Sequence, residues 1–407
     1  MNIGFFTDTY FPQISGVSTS IRILRDQLVD QGHRVIIFTT TDPDADISEP
    51  DVIRLPSIPF VSFEDRRIAY SGFDKALRIA RQYDLDIVHT HTEFSLGLAG
   101  QYVATRLRIP IIHTYHTMYE KYTHYILDGQ LVKPEHVRAM SRVFCQQVHG
   151  VISPSLMTYD TLREYGISTE MRVIPTGVKI PSYNQERRQT DRTKYGFTND
   201  DFILLSLSRV SKEKNIHQLI EQFDVIQEKY PETQLVIVGD GPARMELEAL
   251  AQKTRSFDNI HFLGEVSHDE VSRFYQMADL YVNASDSESQ GLTYLEAMVN
   301  RLPICARHND YLAEITSYSS DLGVLFEQSE DYANTVNQFL TDRHLAGKNA
   351  MPEEALTAIS ADTFANNVMQ FYLDIKGDSH AYKSPFVNRL ETGVKSFIRD
   401  IIIGDES

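Results

Sequence analysis

Glu288 and Glu296 stand eight positions apart in Ser285-Asp-Ser-Glu-Ser-Gln-Gly-Leu-Thr-Tyr-Leu-Glu-Ala-Met298. The first falls in a loop that contains Gly291; the second falls on the helical run that follows. A carboxylate can accept hydrogen bonds from two vicinal hydroxyls, and a helix starting near Gly291 offers N–H groups that no helical carbonyl uses. Sugar or phosphate suits such a constellation. Two glutamates at this spacing are common by chance, so the loop-then-helix setting gives the pair its weight. Arg209 and Lys214 lie five apart in Ser206-Leu-Ser-Arg-Val-Ser-Lys-Glu-Lys-Asn215. Two cations on one loop either clamp a diphosphate or form a solvated basic loop.

Other candidates are less specific. Asp8-Thr-Tyr-Phe-Pro-Gln-Ile-Ser-Gly-Val-Ser18 leads into a helical pattern, where Gly16 permits close backbone approach and the helix start at Val17 favours an anion. The same turn reads equally as a loop with an N-cap. His89, His91, His113 and His116 follow apolar runs, yet no carboxylate or cysteine completes a metal-ligand set, and His116 is the best placed for function. No metal site is expected. The Asp42-Pro-Asp-Ala-Asp46 run reads as a solvated turn. Val236-Ile-Val-Gly-Asp-Gly-Pro242 has Arg244 where the third glycine of a dinucleotide fingerprint would stand.

The elements that must position these residues are short β-branched strands alternating with amphipathic helices. Strands are expected at 3–7, 35–40, 87–89, 111–114 and 150–153, then at 203–207, 234–238, 260–263, 280–283 and 303–306. Near-continuous apolar strands separated by helices imply parallel sheets covered on both faces. The fold class is α/β, with two doubly wound parallel-sheet domains. The break falls in Val173-Ile-Pro-Thr-Gly-Val-Lys-Ile-Pro181, giving domains of 1–177 and 178–382. A final helix over about 383–407, striped by Leu390, Val394, Phe397 and Ile401, is expected to pack back on the first domain.

Composition narrows the class further. The 407 residues are 42% hydrophobic and 23% charged, within the globular range. The net charge of −17 excludes the basic footprint of a nucleic-acid binder. It is uneven: residues 1–178 carry a net −3 and the remainder −14, so the first half is the better suited to an anionic surface. Cys145 and Cys305, the two cysteines, are far apart, which fits a reducing compartment. No targeting pattern or membrane-spanning apolar run is visible, so a cytoplasmic protein, soluble or peripheral, is expected.

With these residues in place a likeness emerges. Glu288 and Glu296, set in Glu-Ser-x-Gly-Leu-x-x-Leu-Glu-Ala-Met, resemble the E-x7-E motif of family 4 of the retaining glycosyltransferases. The resemblance extends over the turn at Gly16, His89-Thr-His91, His116, Ile152-Ser-Pro-Ser155, Ile174-Pro-Thr-Gly-Val178, Arg209 with Lys214, and Val238-Gly-Asp-Gly-Pro242. It implies a GT-B fold, two Rossmann-like domains facing a central cleft, the first on the acceptor or membrane side and the second binding the nucleotide sugar. It implies that Glu288 holds the donor sugar and Glu296 the ribose. Arg209 and Lys214 would neutralise the leaving diphosphate, with Gly16, Val17, Gly291 and Leu292 also lining the donor. His116 would stabilise the transition state beside the sugar. No cofactor or divalent metal is implied. Two departures stand out: Ser15 replaces the first of the usual paired glycines, and Gln290 replaces the usual aromatic before Gly291.

The stretch His116-Thr-Met-Tyr-Glu-Lys-Tyr-Thr-His-Tyr125 is similar to that of bacterial diacylglycerol glucosyltransferases. The implied reaction is α-glucosyl transfer from UDP-glucose to the 3-hydroxyl of 1,2-diacylglycerol, supplying membrane glycolipid or a lipoteichoic acid anchor. Tyr119, Tyr122 and Tyr125 suit an interfacial belt on the acceptor side. Phe60 and Phe63, followed by Arg66, Arg67, Lys75, Arg78 and Arg81, form a second surface that either meets an anionic membrane or is an ordinary helix with a basic face. The implied location is the inner face of the cell membrane. The alternatives are a same-fold enzyme with another glycolipid or polysaccharide acceptor, UDP-galactose as donor, a non-catalytic sugar-binding protein, or a sugar-nucleotide epimerase.

Overall fold

Runs of β-branched and aromatic residues pair in parallel in both main sheets, and most connecting segments are long enough to cross over as helices. The computed structural model describes residues 1–407 apart from 14, 47, 61–62, 118–133, 287, 289, 344–350 and 378–407. The chain divides into two units, Met1–Gly177 together with Ala361–Gly377, and Val178–Ser360.

In the first unit the strands are β1 (Asn2–Phe6), β2 (Arg34–Thr40), β3 (Val52–Leu55), β4 (Ser57–Phe60), β5 (Phe63–Ala69), β6 (Ile87–Thr90), β7 (Ile111–Thr114), β8 (Gly150–Ser153) and β9 (Glu170–Val173). Seven form a parallel sheet in the order β3-β2-β1-β6-β7-β8-β9. Side chains alternate between its faces. Phe6, Phe38 and Val88 meet Leu96 and Val103 of the helix Ser95–Leu107. Phe5, Ile37, Ile112 and Ile152 face the helices Gly16–Asp30 and Ala361–Gly377.

That second helix corrects the expected boundary. The chain leaves the second unit after Ser360, not at 382, because Phe364, Val368, Phe371, Tyr372 and Ile375 are buried against the first unit's sheet. A helical stripe reveals that a face is covered without saying by which sheet. The expected tail helix at 383–407 lies outside the described residues.

The segment around Phe60 and Phe63 is also corrected. The helical alternative fails there: β4 and β5 pair as an antiparallel hairpin, and the helix carrying Lys75, Arg78 and Arg81 begins at Phe73. Arg67 lies within the hairpin, donating from Nε to Ser57 Oγ at 3.0 Å and from Nη2 to Ser57 O at 2.9 Å. Arg66, Phe60 and Phe63 belong to the same two strands.

The second unit has β10 (Phe202–Leu207), β11 (Thr233–Val238), β12 (Ile260–Gly264), β13 (Leu280–Asn283), β14 (Ile304–Arg307) and β15 (Gly323–Phe326). They form a parallel sheet in the order β12-β11-β10-β13-β14-β15. The strand order reverses between β10 and β13. Below that point Asp279 accepts from Ile203 N at 2.8 Å and pairs with the guanidinium of Arg192. Arg192 is buried and also donates to the carbonyls of Met277, Thr198 and Asp201. A buried cation is tolerable because its donors are occupied. This cluster pins the start of β10 to the start of β13. No helix among the described residues is long and apolar enough to cross a membrane.

The packing of Ala361–Gly377 is open to a direct check. Phe371→Ala should destabilise the first unit by about 3–5 kcal/mol, because it opens a cavity against the sheet. Leu373→Ala, half-exposed on the same helix, should cost under about 0.5 kcal/mol. Thermal melts compare them; equal losses would mean that the helix is not docked as described.

Candidate active site

In an open parallel sheet, ligands bind beyond the carboxyl ends of the strands where the order reverses. In the second unit the loops at that point are 208–215, after β10, and 284–291, after β13. Their sequences carry Arg209, Lys214 and Glu288.

Lys214 ends a 3₁₀ turn, Lys212–Lys214, and its Nζ lies 2.5 Å from Glu288 Oε1. Both side chains are 18% exposed, so the pair is partly withdrawn from water. Other bonds tie the two loops together. Asn215 Nδ2 donates to Ala284 O at 3.2 Å, Ser285 Oγ to Glu213 O at 3.3 Å, and Tyr281 Oη to Leu207 O at 3.2 Å. Arg209 is exposed two residues past β10. Its loop is braced from below by the turn after β11, where Val210 N donates to Asp240 O at 2.9 Å. Gly239 and Gly241 have φ of +129° and +158°, and a Cβ on either would lie 1.9 Å from Ser208 O or 2.4 Å from Val210 O. These glycines serve close packing of loops, which explains a glycine pair without a dinucleotide fingerprint.

Gly291 caps the helix Leu292–Val299 with φ +78°, and a Cβ there would strike the Tyr294 ring at 2.4 Å. Only glycine fits. Gln290, buried beside it, donates from Nε2 to Tyr311 Oη at 3.2 Å. The polar replacement for an aromatic is thus held by a hydroxyl.

Glu296 lies on this helix, and its Oε2 accepts from Tyr275 Oη at 2.9 Å. Burial pushes its carboxyl up to about 7, with the Tyr275 bond pulling the other way. Tyr275 was not foreseen, because nothing near position 275 marks it; it reaches the glutamate from the helix His268–Met277.

The first unit reverses its order between β1 and β6, so the loops after those strands adjoin. Asp8 joins them: its Oδ2 accepts from Thr92 Oγ1 at 2.6 Å, its Oδ1 from Ser95 Oγ, and both from Leu96 N at the start of Ser95–Leu107. A carboxylate at a helix N-terminus gains from both the N–H groups and the dipole. Gly16 and Val17 open the helix Gly16–Asp30, which Ser15 caps in a reciprocal pair with Ser18. Serine in place of the first glycine therefore supplies a cap. A Cβ on Gly16 would meet nothing within 4 Å, so the space above its backbone is open.

His116 follows β7, and its Nε2 lies 3.1 Å from His91 Nδ1 with the ring planes 29° apart. Burial, then the neighbouring His113, pulls the His116 imidazole down to about 3. His89 and His91 are likewise held well below the usual histidine range by burial first. His89 bonds Tyr372 Oη at 2.6 Å and Thr114 Oγ1 at 2.7 Å, so it is a packed core histidine. His113 Nε2 lies 3.4 Å from the buried Glu93. Among the described residues, no three His, Cys, Asp or Glu side chains form a group able to hold a metal. Asp42 and Asp46 accept from Asp44 N and Ser48 N, as in local turns.

The structure thus brings Lys214 to Glu288 and His91 to His116. Arg209 shares the Lys214 loop, and Glu296 meets Tyr275, not another sequence candidate. Tyr119, Tyr122 and Tyr125 lie outside the described residues.

Comparison with known proteins agrees with this geometry. Residues 14–180 match Glycosyltransferase Family 4 and residues 187–355 match Glycosyl transferases group 1. The structure of Anabaena Alr3699/HepE in complex with UDP and glucose superposes with a TM-score of 0.70 at 18% identity, covering 92% of this chain and all of that one. Sucrose-phosphate synthase from Thermosynechococcus elongatus does so with a TM-score of 0.72 at 21% identity, over 93% and 100%. The fold is that of the GT-B glycosyltransferases. The chain is 45% identical to an alpha-monoglucosyldiacylglycerol synthase from Streptococcus pneumoniae over 92% of its own length and 86% of the relative's. It is 33% identical to one from Acholeplasma laidlawii, over 92% and 97%. The chain belongs to glycosyltransferase family 4.

The raised Glu296 pKa gives a pH signature. A proton binds this carboxyl more tightly in the folded chain than in the unfolded one, so stability from this group falls as pH rises from about 4.5 to about 7. Glu296→Gln should remove that limb, whose slope approaches about 1.4 kcal/mol per pH unit. The variant's melting temperature should therefore gain on the wild type between pH 5 and 7, then run parallel above 8. A constant difference across the range would contradict the assignment.

Proposed function

We propose that the protein transfers an α-glucosyl group from UDP-glucose to the 3-hydroxyl of 1,2-diacylglycerol, with retention of configuration and without a metal. The observation that carries the reading is the 45% identity, across both units, to a protein named alpha-monoglucosyldiacylglycerol synthase. The second unit holds the donor. Glu288 accepts hydrogen bonds from sugar hydroxyls, Glu296 from the ribose, and the N–H groups of Gly291 and Leu292 meet the sugar phosphate. Lys214 leaves Glu288 in part to face the diphosphate, joined by Arg209, and their charge stabilises the departing nucleotide. In the first unit, the open backbone at Gly16 and Val17 admits phosphate, and His116 hydrogen-bonds the sugar as a neutral imidazole.

The acceptor is a membrane lipid, so the protein works as a peripheral protein at the inner face of the cell membrane. The exposed Lys75, Arg78 and Arg81 favour anionic headgroups. The diacylglycerol hydroxyl attacks the anomeric carbon as the UDP bond breaks on the same face, and the hydroxyl proton passes to the leaving diphosphate. No cofactor enters the balance, and nucleic acid is not a partner.

The test is incubation of the full chain with radiolabelled UDP-glucose, UDP-galactose and diacylglycerol in anionic vesicles, with and without EDTA. Labelled monoglucosyl lipid should form from UDP-glucose in both conditions. Lys214→Ala and Glu288→Ala should each lower turnover at least about a hundredfold, with melting temperatures within a few degrees of wild type. A label that enters only polysaccharide, or that needs manganese, would contradict the reading.

A further inference from the structure

We propose that His91 fixes the tautomer of His116, keeping its proton on Nδ1 so that this edge of the ring is a hydrogen-bond donor. The inference rests on the transfer reading above, since it specifies the form in which His116 meets the donor sugar. His91 is a positioning residue, acting through its neighbour.

The ring of His91 has little freedom. It is 2% exposed, lies 4.8 Å from Phe5 edge-on and 4.1 Å from His89, and has the His116 ring centred 5.4 Å away at an interplanar angle of 29°. Its Nδ1 faces His116 Nε2 across 3.1 Å. Two neutral imidazole nitrogens at that distance share one proton, so one donates and the other accepts.

The far nitrogen of His91 decides which. Its Nε2 is buried and has no hydrogen-bond partner among the described residues. A buried N–H without an acceptor is rarer and costlier than a buried acceptor left unused. The proton of His91 therefore sits on Nδ1 and is donated to His116 Nε2. That nitrogen of His116 must then be the acceptor, and the second ring carries its own proton on Nδ1. A doubly protonated ring would undo this logic. Burial keeps His89, His91 and His116 neutral.

The consequence is chemical. With Nε2 occupied as an acceptor, His116 cannot take a proton there during transfer; it can donate from Nδ1 to an oxygen. A hydrogen-bond donor beside the sugar, not a general base, is the role left to it.

The test is nitrogen-15 NMR of the full chain labelled at histidine, with His116 assigned by its loss in His116→Asn. In the wild type, His116 should show the Nδ1–H tautomer from pH 8 down to pH 5. His91→Asn, whose amide can still donate from the place of Nδ1, should preserve it. His91→Phe, similar in shape but without a donor, should release His116 into a mixture of tautomers. The same variant should lower kcat about tenfold to a hundredfold with little change in KM for UDP-glucose, and His91→Asn should recover most of that loss. An Nε2–H tautomer in wild-type His116, or wild-type kcat in His91→Phe, would overturn the proposal. The tautomer is read without substrate. A failure of lipid glucosylation would therefore be told apart from a failure of this assignment, and the wild-type spectrum decides even if His91→Phe does not fold.

Discussion

Reversal of strand order in a parallel sheet is the constraint on which the rest depends. Parallel pairing sends every crossover along the faces, so loops at the carboxyl ends fan apart where the order turns back. In the second unit that happens between β10 and β13. Lys214 and Glu288, seventy-four residues apart in sequence, meet there as an ion pair. The pair needs the strand ends fixed, and Asp279 fixes them from below by joining Ile203 N to the buried Arg192. Breaking that cluster would disturb the site without touching it.

An ion pair of partly buried groups is a resting state as much as a binding device. Taking both groups from water costs energy that their attraction returns only in part. On the proposed reading, a diphosphate would give Lys214 a further partner while the sugar gives Glu288 hydroxyl donors, exchanging one internal contact for several ligand contacts. The first unit differs: burial keeps His89, His91 and His116 neutral, so these three contribute hydrogen bonds in fixed directions, not charge.

Much of this was legible from sequence because parallel strands and their exit loops leave local signatures. The paired glutamates, the basic loop and the glycine at 291 all sit where strand ends place them. What stayed hidden has a common cause: it depends on contacts between distant segments. Tyr275 reaches Glu296 from a neighbouring helix, and no periodicity near it points there. The burial of Ala361–Gly377 on the first unit is invisible to a stripe analysis, because both units present apolar sheets. The β4–β5 pairing is not legible because proline and clustered arginines obscure strand alternation, which leaves a helix open as an alternative. The bonds from Arg67 to Ser57 depend on an antiparallel register that sequence alone does not set.

The central claim is that the loops at 208–215 and 284–292 form the nucleotide-sugar site of the second unit. Hydrogen exchange of the full chain with and without saturating UDP-glucose tests it most directly. Protection should concentrate on the amides of those two loops, Gly291 and Leu292 above all, with the β15 side of the same sheet unchanged. Protection confined to other segments, with these loops exchanging as before, would contradict the account.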